Sequence, residues 1–110
     1  MLFRNADVLL MKSEAKVRNG ENGDAELNQV RSRVGMADRQ ATLENLLAER
    51  QMEFAWEGWR RQDLVRFGLF TRAYSSRPQL PDESSGYTTV FPIPENILLL
   101  NGNLTQNPGY

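Results

Sequence analysis

Residues 42–57 carry apolar side chains around so much of one helix that a single packed neighbour cannot cover them, and this stretch constrains the fold most. Leu43, Leu46, Leu47, Arg50 and Phe54 line one side, while Met52, Ala55, Trp56 and Trp59 line another. A surface that broad predicts contacts on two sides. Thr42 is the N-cap candidate, because its hydroxyl can accept a hydrogen bond from a free N–H of the first turn. Gly58 breaks or bends the helix, and a shorter one over about 60–72 carries Leu64, Val65, Phe67 and Phe70.

Two helices precede it. In residues 4–18, Ala6, Leu9, Leu10, Ser13 and Val17 fall on one stripe, which Leu2 extends backwards. Asn19-Gly20 is a stop signal, since both residues tolerate the left-handed conformation that ends helices. The next helix, about 24–34, takes Asp24 as its N-cap and turns Leu27, Val30 and Val34 inward; Gly35 ends it. Residues 4–35 thus read as a helical hairpin, the unit of tetratricopeptide-type scaffolds, which bury their faces against stacked neighbours. Residues 74–110 change character. Ser75, Ser76, Pro78, Pro81, Ser84, Ser85 and Gly86 give a loop composition over 74–90. Phe91-Pro92-Ile93-Pro94 is extended, because the residue before a proline is pushed out of the helical region. Glu95 to Leu100 has room for one helical turn, and the rest is an irregular tail. The fold class expected is mainly α, with an irregular last third and no strand hairpin.

The chain's 110 residues fit one domain at most. With 13 basic and 14 acidic residues the net charge is -1, which argues against a nucleic-acid partner. Arg60, Arg61 and Arg66 sit among Glu53, Glu57 and Asp63, so any positive patch is largely neutralised. Without Cys or His, the chain lacks a thiolate nucleophile, the commonest general base and the commonest transition-metal ligand. The glycines are scattered with no following Lys, and Asp82 and Glu83 are merely adjacent, so neither a phosphate loop nor a calcium loop is present. No cofactor or metal is expected. Neither a signal peptide nor an apolar run long enough to span a bilayer is visible.

Two groups of residues invite a functional reading. Glu49, Glu53 and Glu57 share a helix face, and repel unless cations intervene; Arg50, Arg60, Arg61 and Arg4 are the candidates. Glycoside hydrolysis needs two acids facing each other across a sugar bond, whereas residues one turn apart on one helix point the same way. A structural ion-pair network is therefore the favoured reading. Trp56, Trp59, Phe67 and Phe70 could stack on sugar rings but fall at helical spacing beside Leu64 and Val65, which favours the core. Tyr74 and Tyr87 flank the long loop and are expected to be exposed; with Trp59 they are the candidate ligand-stacking residues.

Five segments, in order, resemble the C-terminal part of the SusD/RagB family. They are Arg4-Asn5-Ala6-Asp7-Val8-Leu9-Leu10-Met11 with Glu14-Ala15; Leu27-Asn28-Gln29-Val30-Arg31-Ser32-Arg33-Val34-Gly35; Glu49-Arg50-Gln51-Met52-Glu53-Phe54-Ala55, running on through Glu57-Gly58-Trp59-Arg60 to Asp63-Leu64-Val65-Arg66-Phe67-Gly68; Phe91-Pro92-Ile93-Pro94; and Gln106-Asn107-Pro108-Gly109-Tyr110. Asn5, Lys12, Trp56 and Trp59 depart mildly from the usual pattern. The resemblance implies a helical tetratricopeptide-like scaffold belonging to a longer lipoprotein with a signal peptide and a lipidated Cys. It implies surface exposure on a Bacteroidetes outer membrane and capture of an oligosaccharide for a TonB-dependent, SusC-like transporter, without enzymatic chemistry. The alternative is a helical protein–protein module that docks the transporter without touching sugar. A scaffold piece of this kind should also expose apolar surface and self-associate.

Overall fold

The computed structural model describes residues 4–74 and 77–110. Leu2, expected to extend the first stripe, and Ser75 and Ser76 of the loop lie outside the described residues. The helices are α1 (Asn5–Arg18), α2 (Asp24–Ser32), α3 (Leu43–Glu53), α4 (Arg60–Arg66) and α5 (Glu95–Leu100), with 3-10 turns at Glu83–Ser85 and Tyr87–Thr89. No strand occurs among the described residues; one isolated bridge pairs Tyr74 with Arg77. The fold is mainly helical, as the periodicity predicts. The chain forms two compact units, Met1–Arg60 and Arg61–Tyr110.

In the first unit, α1 packs against both α2 and α3. Leu10, Leu27, Val30, Leu46 and Phe54 form the core, with Ala6, Leu9, Val17, Ala41 and Trp59 packed around it. Gly20 and Gly35 end their helices at positive φ. The N–H groups of Gly20 and Glu21 reach the Val17 and Lys16 carbonyls, and those of Gly35 and Met36 reach Ser32 and Arg31. This wrap after Ser32 leaves Val34 exposed, where the stripe had it pointing inward.

The start of α2 also differs from expectation. Gly23, not Asp24, is the cap, and the Asn22 carboxamide oxygen accepts from the Asp24 N–H at 2.7 Å. A Cβ on Gly23 would meet the Ser13 carbonyl oxygen and hydroxyl at 2.6 Å, so only glycine fits. The Asp24 carboxylate instead accepts from the Ala41 N–H at 2.6 Å, tying the α2–α3 connection to the hairpin.

Thr42 caps α3 as expected, its hydroxyl accepting from the Asn45 N–H at 3.1 Å. The helix stops at Glu53, short of residue 57. Phe54 turns into the core and meets Trp59 with ring centroids 6.5 Å apart, which forces the chain out of helical geometry between them. The second apolar side read from the sequence has no cover within the unit: Met52, Ala55 and Trp56 are exposed.

In the second unit, α4 ends at Arg66, earlier than the expected residue 72, and Gly68 and Leu69 close it onto the Val65 and Leu64 carbonyls. Arg61 organises the segment beyond the loop. Its guanidinium lies 4.9 Å from the Phe70 ring centroid and 4.2 Å from that of Phe91. It donates to the Thr88 and Thr89 carbonyls at 3.1 Å each. The Val90–Pro94 strap is then fastened by the tail. Pro92 and Pro94 lack N–H groups, so the strap cannot pair as a normal strand. The Gln106 carboxamide accepts from the Ile93 N–H and donates to the Ile93 carbonyl, both at 2.8 Å. Asn107 donates to the Phe91 carbonyl at 2.7 Å and the Tyr110 hydroxyl to that of Val90 at 2.9 Å.

Candidate functional site

The acids of α3 are held by arginines that the hairpin supplies. Glu49 pairs with Arg31, both buried. Glu53 takes Arg4 at 2.9 Å and Arg33 at 2.8 Å, and Arg4 reaches Glu57 at 2.8 Å as well. Arg4 also donates to the Glu53 carbonyl at 2.6 Å and lies 5.0 Å from the Phe54 ring centroid. Arg50 pairs instead with Asp7 of α1 at 2.8 Å, both nine-tenths or more buried. The cations for these acids therefore come from Arg4, Arg31 and Arg33, while Arg61 serves the second unit. Glu57 lies beyond the end of α3, so it does not share the helical face assumed from spacing. These carboxylates converge on guanidinium groups and do not oppose one another across a gap.

A further ion cluster ties α1 to α2. Glu26 takes Lys16 at 2.6 Å and Lys12 at 2.9 Å on the same oxygen. These bonds, from Lys16 and then Lys12, hold its carboxyl at about 2 against an ordinary 4.5. An open groove of about 400 Å³ runs along the hairpin, with Leu9 and Val30 in its floor and Asn5, Gln29 and Arg33 on its rim.

The three aromatic candidates fall in different settings. Trp59 belongs to the first unit and is half-buried against Phe54 and the core, so its ring serves packing. Tyr87, in the second unit, is also half-buried, its ring edge-on to Tyr110 with centroids 5.2 Å apart. A Cβ on Gly109 would lie 2.6 Å from Tyr87, which shows how closely the tail presses on it. Tyr74 is 41% exposed. The Arg77 guanidinium sits 5.8 Å from its ring centroid and 5.7 Å from that of Phe70. Phe67 and Phe70 are half-buried, whereas Trp56, read from spacing as a core residue, is fully exposed.

Arg77 is fixed in turn by Glu83, a residue that neither spacing nor motif singles out. Glu83 is fully buried and accepts from Arg77, from the Leu80 N–H at 3.0 Å and from the Thr88 hydroxyl at 2.9 Å. Arg77, then the Leu80 N–H, hold its carboxyl below the usual carboxylate range. One acid thus gathers the ends of a loop whose composition suggested no order. Arg77 and Thr88 on either side of an acid were the available signal, and a weak one.

A sequence model of the SusD family matches residues 1–110. The chain is also 35% identical over 120 residues to the starch-binding protein SusD of Bacteroides thetaiotaomicron. That alignment covers 99% of this chain and 21% of the relative, so the chain spans about a fifth of the length of the protein it matches.

Proposed function

This chain belongs to the SusD family, and from that premise we propose that it is the C-terminal portion of a surface glycan-binding protein. The parent captures oligosaccharides and passes them to a TonB-dependent outer-membrane transporter. The observation that carries the reading is the family match over the whole chain, together with the starch-binding relative. The geometry favours capture over hydrolysis. Glu49, Glu53 and Glu57 each pair with arginine, whereas a glycosidase needs two opposed carboxyls, one of them held protonated.

Within this chain the first unit is scaffold, and the part best suited to meet sugar is the loop around Tyr74. Tyr74 offers an exposed ring, its backbone pairs with that of Arg77, and Glu83 holds the Arg77 side chain. A broad aromatic face held in place is what stacking on a pyranose ring requires. Trp59 and Tyr87 support packing and stand behind it as candidates.

The test is affinity electrophoresis of the full-length cellular protein through gels carrying soluble starch and other glucans. Retardation is expected with at least one, and Tyr74→Ala should weaken it by about tenfold, the value of one good stacking contact. Unretarded migration across a glycan panel would leave the alternative, a helical module that docks protein without touching sugar. The exposed apolar side of α3 is the feature that favours that alternative.

A further inference from the structure

Three Asn-Gly steps occur in the chain, at residues 19–20, 22–23 and 101–102. Such a step is chemically weak, because glycine has no side chain to keep its nitrogen off the preceding carboxamide. The structure protects two of them. At the end of α1 the Gly20 N–H donates to the Val17 carbonyl at 3.1 Å, so its nitrogen is occupied. Ahead of α2, Gly23 is buried and its carbonyl accepts from the Ser13 hydroxyl at 2.7 Å. The Asn22 carboxamide there is held by Asp24 through both its oxygen and its nitrogen.

Asn101–Gly102, just past α5, lacks both kinds of protection. The two residues are exposed, and the Gly102 N–H makes no hydrogen bond among the described residues. The Asn101 carboxamide oxygen accepts from the Asn103 N–H at 3.1 Å, which draws electrons from the carbon that the nitrogen would attack. One backbone bond, from the Leu104 N–H to the Asn101 carbonyl at 3.0 Å, closes the turn and must open for the peptide to rotate onto the carboxamide. An exposed bond of this kind opens readily.

We propose that Asn101 is a self-modification site whose conversion loosens the tail from the strap. The Gly102 nitrogen bonds to the Asn101 carboxamide carbon, and the amide group leaves as ammonia with the proton that the nitrogen gives up. Water then opens the cyclic succinimide at either carbonyl, giving aspartate or isoaspartate. Either product sets a carboxylate at the C-terminal end of α5, where free carbonyls already gather negative charge. Isoaspartate also adds one backbone atom ahead of Gln106, Asn107 and Tyr110, which fasten the strap. The proposal does not rest on sugar binding, and its test contains no sugar.

The protein isolated from its source is held at physiological temperature and pH, sampled over weeks and digested after its glutamates, which puts the three steps on separate peptides. Mass spectrometry should show Asn101 converting at least about tenfold faster than Asn19 or Asn22, a gap that the protection of one hydrogen bond supplies. Isoaspartate should be among the products, and in guanidinium chloride the three rates should converge. Gly102→Ala should slow the conversion at least about tenfold by crowding the nitrogen. The variant keeps the fold, because Gly102 is not at positive φ and a Cβ there meets nothing within 4 Å. In converted protein the Ile93 amide should exchange faster than in fresh protein. Asn101 lasting as long as Asn19 and Asn22 would overturn the site, as would a conversion that Gly102→Ala leaves unchanged. Isoaspartate with unaltered exchange at Ile93 would overturn the loosening of the strap.

Discussion

Glu26 shows how much one residue can tie down. It gathers Lys16 and Lys12 on one oxygen, and its carboxyl is lowered to about 2 from an ordinary 4.5. A folded-state value below the unfolded one stabilises at pH above the ordinary value, and that contribution disappears as pH falls through the folded value. Wild type should therefore exceed Glu26→Gln in denaturant midpoint at about pH 6, and the gap should close toward about pH 2. The buried pair of Asp7 and Arg50 has different energetics. Arg50→Ala strands a carboxylate that is 1% exposed and should cost about 3–5 kcal/mol. Asp7→Leu combined with Arg50→Met should recover most of that loss, as a double-mutant cycle in urea would show. Burial of this pair was not legible in the sequence. Asp7 interrupts no stripe, and only the approach of α1 to α3 decides which acid meets Arg50.

At the scale of elements, punctuation was the most legible layer. Thr42, Asn19-Gly20 and Gly35 cap or end helices where their local chemistry says they should. Thr42→Ala should destabilise by about 1 kcal/mol, measurable as a shift in thermal midpoint with the helical signal retained. The far end of α3 was not legible. Met52, Ala55 and Trp56 continue the helical pattern past Glu53, but periodicity records which faces are apolar and not whether the backbone stays helical. The tail was legible as a motif but not as a device. Gln106 completes both hydrogen-bonding groups of Ile93 in a strap whose prolines cannot pair. Gln106→Ala should cost about 1 kcal/mol through the loss of two part-buried hydrogen bonds, and faster amide exchange at Ile93 would confirm it.

For the molecule as a whole, mainly helical character follows from the spacing of apolar residues, whereas the division at residues 60 and 61 does not. The helical pattern runs from Leu43 to Phe70 with only Gly58 to interrupt it, and gives no sign that contacts separate beside α4. Exposed Met52, Trp56, Phe91, Leu99 and Leu100 leave much apolar area in water. At tens of micromolar, on the order of ordinary protein work, the isolated chain should enhance the emission of an apolar dye and scatter light as more than a monomer. A dark dye and monomeric scattering would contradict that expectation.

The fastening of the strap also separates two closures in time. Its bonds join residues 13 to 20 apart in sequence, while Arg4 meets Glu53 and Glu57 across 49 and 53. Short loops close in about 10–100 ns, and the entropic toll rises with the length enclosed. The second unit can therefore cinch its strap while Arg4 is still searching for its carboxylates. A fluorophore pair across residues 93 and 106 should report closure before a pair across residues 4 and 57.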